Sequence, residues 1–159
     1  VLDKPDILKG LGSRNFDREG VKTDTLKLVE QGILKHYLID TYNGKKLNLK
    51  SNGRYGGTSN LYFENGNISL KDLLNSKSKS LYITETIGHG SNIVTGDYSV
   101  GATGFLVENG EFKYPINEIT IAGNFKDMFQ HITLANDLEF KYATNSPTMM
   151  IEGMVVAGK

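Results

Sequence analysis

The sequence predicts a β-rich α+β fold, with several antiparallel hairpins in a sheet or barrel-like domain and at least two helices. Three observations predict it. Glycine occurs 18 times in 159 residues, above the roughly 7% that is usual, and the glycines fall between short alternating apolar runs. Asn-Gly steps stand where such runs meet, and Asn-Gly supplies the two positive φ values of a type I′ turn. Two stretches instead carry apolar residues at helical spacing behind a capping residue.

The elements follow in order. Residues 25–29 read as a strand that turns at Gln31-Gly32 into residues 33–39, forming a hairpin. Asn43-Gly44 precedes a lysine pair and is not read as a hairpin. Asn65-Gly66 closes a strand over residues 60–64. Ser69 caps a helix, with Asp72 three residues on and Leu70, Leu73 and Leu74 on one face. Residues 81–84 form a strand. The strongest local signal is residues 105–108, Asn109-Gly110, then residues 111–114. Residues 118–121 continue as strand. Asn124 caps a second helix whose Phe125, Met128, Phe129 and Ile132 are expected to pack in the core, with His131 on the polar face. Residues 148–151 and 154–156 are the last strands.

Composition excludes several function classes. Eighteen Lys and Arg balance eighteen Asp and Glu, which argues against nucleic-acid and anionic-membrane partners, since both need a positive excess. There is no cysteine, hence no disulfide framework and no thiolate zinc site, and a reducing, cytoplasmic location is expected. No apolar run approaches the ~20 residues that span a bilayer. The length suits one domain. The opening at Val1 reads like the middle of a polypeptide, so the chain is expected to be a piece of a longer protein.

Residues 84–105, TETIGHGSNIVTGDYSVGATGF, hold the densest run of chemistry-bearing types. Glycines 88, 90 and 96 miss the G-x-G-x-x-G spacing of a dinucleotide loop. His36, His89 and His131 are far apart, and neither Glu85 nor Asp97 stands at ligand spacing to them, so no metal site is read. Ser91 or Ser99 with His89 and Asp97 supplies the residue types of a triad, but G-x-S-x-G is absent. Thr95-Gly96-Asp97 reads as a turn. The small residues Gly101, Ala102 and Gly104 allow close approach of another backbone, either a neighbouring strand or a peptide added to a sheet edge. Residues 12–20, GSRNFDREG, read as an exposed turn with local ion pairs, the alternative being a buried network of Arg14 with Asp17 or Glu19.

Taken together, G-S-R-x-F-D-x-E-G at residues 12–20, V-E-x-G-x-L-x-x-Y-L-x-D-T-Y at 29–42 and T-E-x-x-G-x-G-x-N-x-V-T-G-D-Y-S at 84–99 resemble the PmbA/TldD family. So do E-N-G-E at 108–111, E-I-T-I-A-G-N at 118–124, N-D-L-E at 136–139 and I-E-G-M at 151–154. The resemblance runs in order along the whole chain. It implies a family described as metalloproteases that modify or degrade peptides, whose members pair an N-terminal α/β domain with a β-rich C-terminal one and assemble as dimers. Residues 1–159 would be the C-terminal domain. One branch, TldD-like, carries H-E-x-x-x-H and a distant cysteine as zinc ligands. That cysteine would fall after residues 136–139, where this chain has the short, cysteine-free segment 140–147. The resemblance therefore implies the PmbA branch, the non-catalytic partner of a peptide-processing protease. It implies no metal or cofactor in this chain, zinc in a TldD-like partner, and either that partner or a second copy across a dimer interface. The substrate would be a peptide, with His89, Asn92, Thr95 and Asp97 as substrate-binding candidates and no catalytic residue. Two other readings stay open: a metallopeptidase in its own right, and a peptide-binding module that does not cleave.

Overall fold

A computed structural model describes residues 1–158. The first half holds β1 (Leu2–Lys4), β2 (Leu26–Lys27), β3 (Val29–Glu30), β4 (Ile33–Leu34), α1 (Thr41–Leu47), β5 (Asn60–Tyr62) and α2 (Leu70–Asn75). The second holds β6 (Lys79–Ile87), β7 (Asp97–Glu108), β8 (Glu111–Asn124), α3 (Phe125–Gln130), β9 (Ile132–Leu134), β10 (Thr144–Asn145), β11 (Met149–Ile151) and β12 (Val155–Ala157). The predicted β-rich α+β class holds. The sheets are open, and no closed barrel is formed among the described residues. The chain divides into two compact units, one of Val1–Asn65 with Leu138–Pro147, the other of Gly66–Asp137 with the segment from Thr148 onward.

The first unit is built on a four-stranded sheet in the order β10-β5-β1-β2, where β10 runs parallel to β5 and the other pairs are antiparallel. Its interior is polar. Arg54 and Asp3 form an ion pair with both side chains fully buried. The Asp3 carboxylate also accepts the Ser59 N–H at 2.7 Å, and the Arg54 guanidinium donates to the carbonyls of Asn52 (3.0 Å), Gly53 (3.1 Å) and Asp24 (2.6 Å). Buried Asn60 accepts the Gly12 N–H at 2.9 Å and donates to the Lys4 carbonyl at 2.7 Å and the Ser13 hydroxyl at 2.9 Å. Gly12 must be glycine, because a Cβ there would lie 2.2 Å from the Ser59 carbonyl oxygen.

The segment 12–20 is mostly exposed, as expected, but no ion pair forms within it among the described residues. Asp17 is buried and accepts N–H bonds from Glu19 (2.9 Å), Val21 (3.0 Å) and Tyr55 (3.0 Å). Burial opposes its charge, but these three donors and nearby Arg14 outweigh that and hold its carboxyl below the usual value. Arg14 itself donates to the Gly57 carbonyl, and Glu19 accepts from the Thr41 N–H and hydroxyl at 2.9 and 2.6 Å. Of the buried alternative only Asp17 is realised, and it is held by backbone N–H groups rather than by an arginine pair.

The hairpin at Gln31-Gly32 exists but is short, Val29 facing Leu34 and Glu30 facing Ile33; residues 35–39 are not strand. Asn43-Gly44 lies inside α1, a helix the sequence reading missed. Asp40 caps it by accepting the Asn43 N–H at 2.6 Å, and Gly44 lets the Leu49 carbonyl approach to 2.8 Å of where a Cβ would stand. Asn65-Gly66 is not a tight turn. The preceding strand ends at Tyr62, the Asn65 side chain accepts the Leu138 N–H at 2.9 Å, and neither residue has positive φ.

The second unit is apolar inside. Its main sheet has the order β12-β8-β7-β6, and β9 pairs with β11 in a separate antiparallel ribbon. The β7–β8 hairpin turns at Asn109 (φ 51°) and Gly110 (φ 78°), as the sequence predicts. Val100, Ala102, Ile119 and Ile121 form the core cluster, with Leu81, Ile83, Tyr98, Ile116 and Met154 against it. At the far end of the hairpin, Phe112 makes edge contacts to Tyr82 and Phe105, with centroids 5.4 and 5.7 Å apart. Ser69 caps α2 and Asn124 caps α3, both as predicted. The predicted core stripe of α3 is only partly right. Met128 is buried, but the helix stops at Gln130, Ile132 belongs to β9, and Phe129 is 61% exposed and stacks on Phe125.

Candidate functional site

The chemistry-bearing stretch falls in the connection between β6 and β7. Of the small residues on β7, Gly104 is needed for close approach, since a Cβ would lie 2.0 Å from the Tyr82 carbonyl oxygen of β6. The neighbour is therefore a strand of the same sheet. A peptide could not add there, because residues 101–108 of β7 are paired with β6 on one side and β8 on the other. At Gly101 a Cβ would meet only ordinary contacts, with Ile87 3.6 Å away.

The connection folds back on β7 as a small hairpin. The Ser99 N–H donates to the Gly90 carbonyl at 2.8 Å, and the Asn92 N–H donates to the Asp97 carbonyl at 2.8 Å. A Cβ on Gly90 would stand 1.8 Å from the Ser99 carbonyl oxygen, so this approach requires glycine. The tip is then tied by side chains. Asn92 Oδ1 accepts the N–H groups of Val94 (2.9 Å) and Thr95 (3.2 Å). The Thr95 hydroxyl donates to Asp97 Oδ2 at 2.7 Å, and Gly96 takes a φ of 82° between them. Asn124 Nδ2 donates to Asp97 Oδ1 at 3.0 Å and to the Thr95 carbonyl at 3.2 Å. The Thr95 hydroxyl, and after it the Asn124 amide, hold the Asp97 carboxyl below its usual range.

Asn92, Thr95 and Asp97 thus come together in one hydrogen-bonded cluster, and Thr95-Gly96-Asp97 is a turn, as read. His89 stands apart: it is exposed and makes no hydrogen bond to that cluster. The sequence reading took Asn124 for a helix cap only and missed its bonds to the loop. Asp97 engages Thr95 and Asn124 rather than an imidazole, so Ser91, Ser99, His89 and Asp97 do not form a relay. Ile93 and Val94 at the tip are 93% and 89% exposed. What the arrangement offers is a shaped loop with a polar, hydrogen-bonded stem and an exposed apolar end.

The residues do not fit a zinc site. His36 Nδ1 engages the Lys27 carbonyl at 2.7 Å and His131 Nδ1 the Asp127 carbonyl at 2.8 Å, on unrelated elements. Among the described residues no three His, Cys, Asp or Glu side chains gather as metal ligands. A separate concavity of about 390 Å³ in the first unit is lined by Pro5, Asp6, Arg14, Lys22, Asp24 and neighbours. Its two cations and two carboxylates set up no net charge for a ligand.

Comparison with known proteins gives the chain its relatives. Residues 1–158 match the family model of the PmbA/TldA metallopeptidase C-terminal domain. The chain is 47% identical over 160 residues to a metalloprotease PmbA homolog of Buchnera aphidicola subsp. Baizongia pistaciae, covering 99% of this chain and 36% of that protein. It is 42% identical over 160 residues to metalloprotease PmbA of Escherichia coli O157:H7, covering 100% of this chain and 36% of that protein. The crystal structure of TldE from Thermococcus kodakarensis superposes with a TM-score of 0.83 at 27% identity, covering 99% of this chain and 39% of that one. The chain therefore spans little more than a third of the length of the relatives it matches.

Proposed function

This chain belongs to the PmbA/TldD family, as its metallopeptidase C-terminal domain, and from that premise we propose that it serves a PmbA-like subunit as the non-catalytic half of a peptide-processing metalloprotease. In this reading the domain builds the dimer interface and one wall of a peptide-holding chamber. A TldD-like subunit, or a second copy, completes the assembly, and zinc is held by the TldD-like partner. The loop of residues 88–96 lines the chamber, with Asn92, Thr95 and Asp97 shaping it and His89 free to meet substrate. The observation that carries the reading is identity of 42–47% along this whole chain to proteins named PmbA, joined to histidines and carboxylates that, among the described residues, do not gather as zinc ligands.

Assembly with the partner is the test. The full-length subunit and a TldD-like subunit from the same source are purified without a metal-affinity step. Zinc content and peptide turnover are then measured for each alone and for the pair. The proposal expects far less than stoichiometric zinc in this subunit and turnover only in the pair. Zinc that survives dialysis, with turnover by this subunit alone, would make it a metallopeptidase in its own right. Peptide binding by the pair without turnover would make it a binding module. Replacing Asn92 and Asp97 by alanine should lower turnover in the pair; unchanged turnover removes the loop from the chamber.

A further inference from the structure

We infer that Asn124 is the positioning residue that sets the direction of the 88–96 loop, an inference that rests on the proposal that this loop lines the chamber. Burial does not hold the loop. Asn92, Ile93, Val94, Thr95 and Asp97 are all exposed, so hydrogen bonds must fix it. The side-chain bonds made by Asn92 and Thr95 stay inside the turn, spanning two or three residues. They set the turn's shape but not where it points. Beyond the backbone bonds that seat Gly90 and Asn92 on β7, its ties to another element converge on the start of α3. Asn124 Nδ2 reaches Asp97 Oδ1 and the Thr95 carbonyl, and the Phe125 N–H donates to the Gly96 carbonyl at 2.8 Å. The two residues are also direct partners across the ladder, Asp97 facing Asn124.

The amide itself explains why residue 124 is asparagine. Its Oδ1 is committed to the Lys126 N–H at 3.1 Å, as the helix cap, which turns Nδ2 towards Asp97. Aspartate would cap the helix equally well. It would also put a second carboxylate against Asp97 and remove the donor to the Thr95 carbonyl. A serine would cap as well, with no amide to reach across. Gly96 sits close enough that a Cβ there would be 3.2 Å from Asn124 Oδ1, at a φ of 82° that already disfavours any other residue. The clamp and the turn therefore fit each other.

Asn124→Asp separates the two roles, because it keeps the cap and breaks the clamp. The Asp97→Asn/Asn124→Asp double variant restores a reversed amide–carboxylate pair. In the full-length subunit, limited proteolysis within residues 91–97 should speed up about tenfold in Asn124→Asp and return to within about threefold of the parent in the double variant. Melting should show all three folded, and peptide turnover by the pair should fall and recover in the same order. Unchanged loop cleavage in Asn124→Asp, or a double variant as labile as the single one, overturns the clamp. Loop cleavage that follows the expected order while turnover does not would leave the clamp standing and remove the loop from the chamber.

Discussion

The two units solve the problem of a stable interior in opposite ways. Among the described residues the seven buried polar or charged ones, Asp3, Asp17, Thr23, Arg54, Ser59, Asn60 and Asn145, all lie in the first unit, beside buried Leu2, Leu26 and Ile39. The second unit buries Leu73, Val100, Ala102, Leu106, Val107, Ile119, Ile121, Met128 and Ala135. The first is short strands and loops held by side chains bonded to backbone; the second is a long hairpin held by side chains packed on one another. A loop-rich body has backbone groups that no ladder pairs, and buried polar side chains are what satisfy them. A sheet-rich body satisfies its backbone by pairing and is free to fill its interior with methyl groups.

The largest expected effect tests the polar side of that contrast. Arg54→Ala leaves the Asp3 carboxylate buried without its partner and should cost about 4 kcal/mol, with hydrogen-exchange protection lost first in the first unit. Replacing the pair together, Asp3→Leu with Arg54→Met, should cost much less than the single change, because no charge is stranded. A double variant as damaged as Arg54→Ala would show that the guanidinium's bonds to the Asn52, Gly53 and Asp24 carbonyls matter more than the ion pair. On the apolar side, Leu106→Ala should cost about 3 kcal/mol, read by denaturant unfolding, with protection lost first in the second unit. Asp17→Asn keeps the shape but weakens the acceptor of three N–H bonds and should cost about 2 kcal/mol.

Acid gives the smallest effect and cuts across both units. Asp17 and Asp137 have carboxyls held below their ordinary value of 3.8. For Asp137, burial opposes ionisation and the Thr148 hydroxyl and N–H, each 2.7 Å away, outweigh it. A depressed carboxyl stabilises the fold above its unfolded value and loses that contribution as pH falls through the folded one. The melting temperature should therefore be flat from neutral pH down to about 4 and drop below it. Asp17→Asn should flatten part of that drop. A variant that melts with the parent's full acid sensitivity would assign the drop to other carboxylates.

The same contrast explains what was legible in the sequence. The Asn109-Gly110 hairpin, the caps at Ser69 and Asn124 and the alternation along β7 and β8 are short-range patterns, and they dominate the second unit. The first unit depends on partners that no local pattern links: Asp3 with Arg54, Gly12 with Asn60, Asp17 with Tyr55. Helix α1 was hidden because Asn-Gly is a poor helix former, and neither the Asp40 cap nor the Leu49 backbone pressing on Gly44 shows in local spacing. Ile132 was misplaced because spacing says where a face points, not where the helix stops. At the loop, the Thr95-Gly96-Asp97 turn was legible because Thr, Gly and Asp at adjacent positions make one. The Asn124 bonds, 27 and 29 residues distant along the chain, were not.

The parallel pairing of β5 with β10 has a consequence in time. The partner of Leu61–Tyr62 is Thr144–Asn145, so on a ribosome adding roughly 5–20 residues per second the β5 edge waits several seconds, while about 80 further residues are made, before it is covered. During that interval the whole β7–β8 hairpin is synthesised, and its contacts are near in sequence and quick to close. The central hairpin of the second body is thus made and closed early, while the β5 edge of the first stays open to chaperones, or to the wrong strand, until Asn145 arrives.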